Sequence, residues 1–142
     1  MYDELFQSLF QIVTFFNRPK QDKVLLKAAG VTLDTALLPI VVRVGMQKKL
    51  GIVELADQLG RDHSTVSRQI DKLQAMGLVE ANAAKSDGRV REVGLSKNGT
   101  AVLARLTKAR RALMQEALAG WSDAELRELS DGLQHLANTL KS

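Results

Sequence analysis

The polar side chains best suited to chemistry lie close together, between residues 62 and 72 of this 142-residue chain. They carry imidazole, hydroxyl, guanidinium, amide and ammonium groups. The members are His63, Ser64, Thr65, Ser67, Arg68, Gln69 and Lys72. Asp62, His63 and Ser64 are the residue types of a hydrolase triad, but consecutive helical residues point about 100° apart and cannot relay a proton. The set favours hydrogen bonding and ion pairing over catalysis.

The apolar residues around this set predict two short helices. Residues Ile52–Leu59 carry one apolar stripe, and Gly60 follows where a helix end commonly needs a positive φ. Asp62 is the predicted N-cap of a second helix. Its inward face consists of Val66, Ile70 and Leu73. A helix pair with so short a turn is typical of the helix-turn-helix, whose second helix reads the DNA major groove.

The second helix would present its polar residues on the side away from the core. The directions farthest from the apolar stripe hold Arg61, Ser64, Arg68, Asp71, Lys72 and Ala75, with Thr65, Ser67 and Gln69 on the flanks. Such side chains suit base edges and phosphates, and arginine bonds guanine bidentately. An ordinary solvated helix face has a similar composition, so the helix pair alone leaves both interpretations open.

A predicted β-hairpin after the helix pair favours the DNA interpretation. Residues 78–81 and 90–95 have strand character, and Ser86-Asp87-Gly88 is the turn signal between them. Lys85, Arg89 and Arg91 place three cations on this ribbon, within reach of phosphate or a narrow minor groove. Cations also protect hairpin edges from pairing with other strands. This alternative explains any one of the three cations, but it explains less well why all three follow a helix pair.

The hairpin also carries a recognisable signature. Asp87-Gly88-Arg89, followed by Leu95-Ser96-Lys97-Asn98-Gly99, resembles the wing of the MarR family of bacterial and archaeal transcription regulators, in which Asp-x-Arg is followed after five residues by Leu-Thr-x-x-Gly. Residues 55–60, 64–68 and 73–79 fit the family's helix-turn-helix. The resemblance covers nearly the whole chain, and the wing is its most specific part.

The resemblance implies a mainly α (α+β) fold, a winged helix-turn-helix domain with a two-stranded wing between N- and C-terminal dimerisation helices. Ser96 stands where the family usually has Thr and keeps the hydroxyl N-cap of the next helix. Gly88 stands where many members have Arg, which removes one cation. We expect one domain over residues 1–142, with the DNA-binding lobe at 31–99 and dimerisation helices at 1–30 and 100–142.

The terminal segments have apolar stripes that need a covering surface. The first helix holds all four phenylalanines, residues 100–118 form another helix, and a capping box at Ser122 begins the last one. These flanks could complete a monomer core, but we expect them to pack against a second copy. The predicted dimerisation residues are Leu5, Leu9, Phe10, Phe16, Leu113, Leu129, Leu133, Leu136 and Leu140.

Two connecting segments are harder to interpret. Residues 17–30 contain Arg18-Pro19-Lys20 and are predicted to be a helix break and a linker. In residues 32–47, Thr32 could cap a helix, and Pro39 in its interior should kink it. The β-branched residues around position 41 have strand preference, whereas the family resemblance implies a helix.

Composition limits the remaining function classes. The net charge of +4 and the pI near 9.6 favour an acidic polymer as partner, but weakly, since they also suit a membrane surface or no partner. The absence of cysteine excludes a disulfide or a thiol switch. A glycine-rich phosphate loop is missing, and His63 and His135 are too distant in sequence to suggest a local metal site. We expect a cytoplasmic protein that is not an enzyme and has no cofactor and no membrane partner.

The sequence therefore predicts a homodimeric repressor bound to a pseudo-palindromic operator in double-stranded DNA. Ser64, Thr65 and Arg68 would read bases, and His63 and Lys72 would contact the backbone. Ser67, Gln69, Lys85, Asp87 and Arg91 complete the predicted interface, with Asp87 orienting the wing and Arg89 entering the minor groove. The alternative is a winged helix that acts as a protein-contact adaptor.

The resemblance also implies release by a small effector, an amphipathic or aromatic anion. A basic run in the helix after the wing could serve such an anion, although a solvated face is the favoured interpretation. This run comprises Arg105, Lys108, Arg110 and Arg111.

Overall fold

A computed structural model describes residues 1–84 and 87–141, with side chains described for residues 1–82 and 91–141. Helices dominate this part of the chain, with a small antiparallel sheet in its middle. The elements in order are α1 (Tyr2–Phe16), α2 (Pro19–Ala29), α3 (Leu38–Gln47), β1 (Leu50–Gly51), α4 (Ile52–Leu59), α5 (His63–Ala75), β2 (Val79–Ala84), β3 (Asp87–Leu95), α6 (Lys97–Ala117) and α7 (Asp123–Leu140). The mainly helical winged fold predicted from the sequence is confirmed.

The helix pair forms where the apolar periodicity places it. Helix α4 has the predicted bounds and ends at Gly60, whose φ of 63° is left-handed. Asp62 occupies the N-cap position of α5, although no capping hydrogen bond from its side chain is found within the described residues. Val66, Ile70 and Leu73 are buried as predicted. They join a core built from α2 to α6 and the sheet, including Leu26, Ile40, Val41, Val44, Leu55, Val93 and Leu106.

Within the described residues the sheet has three strands in the order β1-β3-β2. Strands β2 and β3 form the predicted two-stranded wing, and β1 is an additional strand that the sequence prediction did not contain. Strand β1 is only two residues long, with Leu50 opposite Val93, and two residues cannot display a period-two pattern. The hairpin strands also extend beyond their predicted ends, because antiparallel pairing continues to Ala84 opposite Asp87 after a register shift. Asp87 and Gly88 therefore belong to β3 and not to the connecting turn.

Residues 17–30 are not a linker. The predicted break at Asn17 is present, but Pro19 begins helix α2 at a position where its missing N–H has no helical partner to lose. Gly30 ends the helix with a φ of 65°, and the amide of Val31 donates to the carbonyl of Leu26 at 3.0 Å. Proline followed by glycine eleven residues later marks a helix, which the sequence prediction missed.

Pro39 does not kink a helix. Helix α3 begins at Leu38, so Pro39 lies in its first turn, where an N–H would be unsatisfied in any case. Thr32 lies outside the helix and does not cap it. The side chain of Asp34 accepts a hydrogen bond from the amide of Ala36 at 2.9 Å and organises the turn before α3. The helical prediction for the second half of this segment, which came from the family resemblance, is confirmed.

The chain divides into two compact units, residues 1–110 and 111–142. The first contains α1 to α5, the sheet and the first part of α6. The second contains the end of α6 and α7, which begins with the predicted capping box. In this box the Glu125 amide donates to Ser122 Oγ at 3.1 Å, and the Ser122 amide donates to Glu125 Oε1 at 3.0 Å. Among the described residues, no helix is long and apolar enough to span a membrane.

Candidate nucleic-acid interface

The outward side of α5 is an exposed polar surface of the helix-turn-helix. Ser64, Arg68 and Lys72 are exposed there, at successive intervals of four residues. Thr65 is half-buried beside them, and Arg68 Nη2 lies 3.5 Å from its hydroxyl oxygen. These groups offer two hydroxyls and two cations from a single helix face. They are the predicted base-reading and phosphate-binding residues, and the structure brings them together.

One flank of α5 is held by an arginine of the hairpin. Arg91 Nη1 lies 3.2 Å from Asp71 Oδ1 and 3.4 Å from Ser67 Oγ. Its Nη2 lies 3.4 Å from the side-chain oxygen of Gln74. Two predicted DNA-binding residues, Ser67 and Arg91, therefore contact each other across the base of the wing.

The opposite flank is held by an arginine of the turn between α4 and α5. Arg61 Nη1 donates to the backbone carbonyl of Ala36 at 2.8 Å and to Gln69 Oε1 at 3.0 Å. Since arginine only donates, the oxygen of the Gln69 amide must face it, which turns the amide nitrogen away. The sequence placed Arg61 on the outward face, but it precedes the helix and points to a neighbouring loop.

His63 lies at the first position of α5 and faces helix α4. Its Nε2 is 3.3 Å from Asp57 Oδ1, and both side chains are exposed. The carboxylate of Asp57 would compete with a DNA phosphate for this imidazole. The predicted contact of His63 with the DNA backbone remains a prediction.

The tip of the wing lies outside the part of the chain described in full. Lys85 falls outside the described residues, and Asp87 and Arg89 are described only as backbone positions of strand β3. Their predicted roles in orienting the wing and entering the minor groove stay predictions.

The base of the wing is joined to α6 through Ser96 and Gly99. The Ser96 hydroxyl donates to the carbonyl of Gly77 at 2.6 Å and accepts from the amide of Gly99 at 3.0 Å, which makes it the N-cap of α6. The amide of Ser96 donates to the carbonyl of Leu78 at 3.0 Å. A Cβ at Gly99 would lie 1.9 Å from that same carbonyl oxygen. The Leu-Ser-x-x-Gly signature thus fixes where the hairpin and α6 meet.

The predicted dimerisation residues are accessible in the single chain. No residue of α1 or α7 is buried. Phe6 and Phe10 are 68% and 62% exposed, their rings are stacked, and Leu133 is 47% exposed. Apolar side chains at this density on the surface need an additional partner to leave water.

At least one residue of the basic run of α6 bonds to the protein itself. Arg105 Nη2 donates to the carbonyl of Gly30 at 2.5 Å and satisfies the end of helix α2. Within the described residues, no group of three or more potential metal ligands is found.

A helix pair, a hairpin beyond it and a short third strand define a winged helix-turn-helix protein. A family model described as MarR family matches residues 42–90, from α3 to the wing. Residues 42–90 are therefore similar to the MarR family of transcriptional regulators.

Solved structures share the fold over nearly the whole chain. The transcriptional regulator BldR from Sulfolobus solfataricus superposes with a TM-score of 0.71 and 24% identity, covering 97% of both chains. Wild-type MarR from E. coli, in its apo form, has a TM-score of 0.71 and 22% identity, covering 92% of this chain and 94% of that one. Streptococcus pneumoniae FabT, solved in complex with DNA, has a TM-score of 0.66 and 18% identity, covering 99% and 95%. A search of curated proteins finds no match.

Proposed function

We propose that this protein is a homodimeric repressor that binds double-stranded DNA through the outward face of α5. The observation that carries the proposal is that the flanks of this helix contact the protein itself, whereas its outward face is exposed. Its two flanks contact Arg61 and Arg91 of the same chain, while Ser64, Arg68 and Lys72 stay exposed between them. FabT and a putative MarR family regulator from Listeria monocytogenes were both solved with DNA, which supports the same use of the fold here.

The exposed apolar residues of α1 and α7 support the dimer. A monomer would leave the aromatic face of α1 and the leucine seam of α7 in water, whereas a second copy would cover both. A two-fold dimer carries two copies of α5, so the matching operator is pseudo-palindromic, with half-sites about one helical turn apart. A regulator of transcription acts where the chromosome lies, and a cytoplasmic location is part of the proposal.

Release by an effector is a finer part of the proposal. An open groove of about 620 Å³ lies between the turn before α3 and the end of α5. Leu33, Leu37, Ala75 and Met76 give it apolar walls, and Lys72 and Asp34 lie at its edge. An amphipathic anion could place its apolar part on these walls and its charge near Lys72. Binding there would compete with DNA for this cation.

The DNA-binding proposal is tested by comparing Arg68→Ala and Lys72→Ala on two duplexes, a site selected from a random-sequence library and its scrambled version. Arg68→Ala should cost about 1–3 kcal/mol on the selected site alone, whereas Lys72→Ala should weaken binding to both duplexes alike. Lys23→Ala, the same charge change at an exposed position of α2, is the control and should change neither.

Salt separates this function from that of a protein-contact adaptor. Wild-type affinity measured by fluorescence anisotropy should fall steeply as salt rises, because several phosphate contacts release counterions. Salt-insensitive binding, or failure to enrich any duplex from the library, would favour the adaptor.

The dimer is tested at Leu133, which is exposed on the seam of α7. Leu133→Asp should convert the dimer to a monomer in analytical ultracentrifugation without loss of helical circular dichroism. Asn138→Asp adds the same charge on the opposite side of α7 and should leave the dimer intact, because five residues separate their directions by about 140°. Equal sedimentation of all three proteins would contradict the proposed interface.

A further inference from the structure

We propose that Arg91 acts as a positioning residue that holds the recognition helix α5 in its reading orientation, so that sequence discrimination depends on the base of the wing. The inference rests on the proposed DNA binding. It replaces the direct DNA contact that the sequence predicted for Arg91. The sequence does not reveal this role, because the contacts join residues at least seventeen positions apart along the chain.

The contacts of Arg91 span two turns of one flank of α5. Ser67, Asp71 and Gln74 follow one another at intervals of four and three residues, which places them in a single row along the helix. The guanidinium is a rigid planar fork whose donors are fixed relative to one another. If α5 turned about its axis, this row would move away from the fork. The three contacts together therefore restrict helix rotation more than a single ion pair would.

Arg91 lies on a strand that also reaches the tip of the wing. Strand β3 runs from Asp87 to Leu95, and Arg91 is paired opposite Ala83 of β2. Both sides of the contact are therefore attached to hydrogen-bonded backbone: Arg91 to strand β3, and its three partners to helix α5. A displacement of the hairpin is transmitted to the helix that carries Arg68.

Charge and exposure argue against Arg91 as a free phosphate ligand. Asp71 lies next to it and neutralises its charge locally, and the arginine side chain is only 34% exposed against 62% for the aspartate. An ion pair as open as this one adds little to folding stability, because water screens it. Removal of Arg91 should accordingly leave the fold intact and change mainly the orientation of α5.

The test measures affinity for the selected and the scrambled duplex over a range of salt, using Arg91→Ala, Asp71→Ala and the double variant. We expect Arg91→Ala to lower the ratio of the two affinities about tenfold and Asp71→Ala to lower it by less, with an unchanged salt slope in both. The double variant should be no worse than Arg91→Ala, because that substitution already removes the contact with Asp71. Arg91→Lys keeps the charge but not the fork, and should keep the salt slope while losing discrimination.

A phosphate ligand would behave differently in every arm. Arg91→Ala would then weaken both duplexes alike and reduce the salt slope by about 0.9, whereas Asp71→Ala would strengthen binding by removing an anion from the interface. That outcome overturns the inference and leaves the proposed function standing. A wild-type protein that binds no DNA overturns both.

Hydrogen exchange of the free protein provides a readout without DNA. Arg91→Ala and Asp71→Ala should accelerate exchange of the same amides in β3 and the flank of α5, with unchanged thermal unfolding. Unaltered exchange in both variants would show that the contacts do not restrain the helix and would overturn the inference, whatever the DNA measurements give.

Discussion

Replacement of Gly99 by alanine tests the joint between the wing and α6. The new Cβ would lie 1.9 Å from the carbonyl oxygen of Leu78 and 3.0 Å from its carbon, both backbone atoms that cannot rotate away. The start of α6 must therefore move by about 1 Å, which is typical of overpacking. This movement stretches the bond from the Ser96 amide to Leu78 and disturbs the cap between Ser96 and the residue at position 99.

The cost of this substitution can be estimated from the contacts it disturbs. A backbone hydrogen bond contributes about 1 kcal/mol, an N-cap about 1 kcal/mol, and the residual strain about 1 kcal/mol. We expect Gly99→Ala to lower the free energy of unfolding by about 2–4 kcal/mol, a large part of the 5–15 kcal/mol typical of a domain. The melting temperature should fall by roughly 6–12 °C for a chain of this size.

Urea unfolding followed by circular dichroism, at one fixed protein concentration, provides the measurement, and two other glycines provide matched controls. At Gly45 the obstacle is the mobile end of the Leu103 side chain, 2.1 Å from the new Cβ, so alanine should cost only about 1–2 kcal/mol through a rotamer change. At Gly120 nothing lies within 4 Å, and alanine should change stability by less than about 0.5 kcal/mol. A Gly99→Ala variant as stable as Gly120→Ala would refute the close approach.

Three further predictions concern stability. Ser96→Ala should cost about 1–2 kcal/mol in urea unfolding, whereas Ser96→Thr should lie within about 0.5 kcal/mol of wild type, because threonine keeps the hydroxyl that bonds Gly77 and Gly99. The hydrogen bonds from the backbone and side chain of Ser122 lower the pKa of Glu125. The stabilisation from this carboxylate is therefore complete above the pKa of glutamate in the unfolded chain, and it is lost as pH falls through the lowered pKa of the folded chain. Glu125→Gln should remove this dependence of the melting temperature on pH on the acid side. Burial raises the pKa of Asp22, so the stability that this residue contributes in its protonated form is lost as pH rises through the raised pKa of the folded chain. Asp22→Asn should be more stable than wild type at neutral pH, and the difference should vanish at pH values below the pKa of an unfolded aspartate. Equal stability of the two proteins at neutral pH would contradict a burial cost.

Elements with several repeats of a helical pattern were predictable from the sequence. Helix α4 was found with its bounds at Ile52–Leu59, and the buried row of Val66, Ile70 and Leu73 was assigned correctly, because each pattern is local and ends at a residue with a clear stop or start signal. The box at Ser122 was found for the same reason.

The errors have two physical origins. Proline was interpreted as a helix breaker at positions 19 and 39, where the structure uses its fixed φ to start helices α2 and α3. Strand β1 was missed because it depends on pairing with β3, some forty residues later. Long-range contacts also determine which groups the side chains of Arg61 and Arg91 meet, and a helical projection of residues 61–75 contains neither Ala36 nor the hairpin.

The arrangement on α5 separates the residues that maintain the fold from those that are free to vary. Val66, Ile70 and Leu73 are buried and two arginines hold the flanks, whereas Ser64, Arg68 and Lys72 contribute nothing to the core. Substitutions at these three outward positions should therefore be nearly neutral for folding, and those at Ser64 and Arg68 should change which duplex is bound. A lineage, or a laboratory library randomised at Ser64 and Arg68, could therefore move to a new operator without first having to acquire stability, because the buried row of the same helix would stay unchanged.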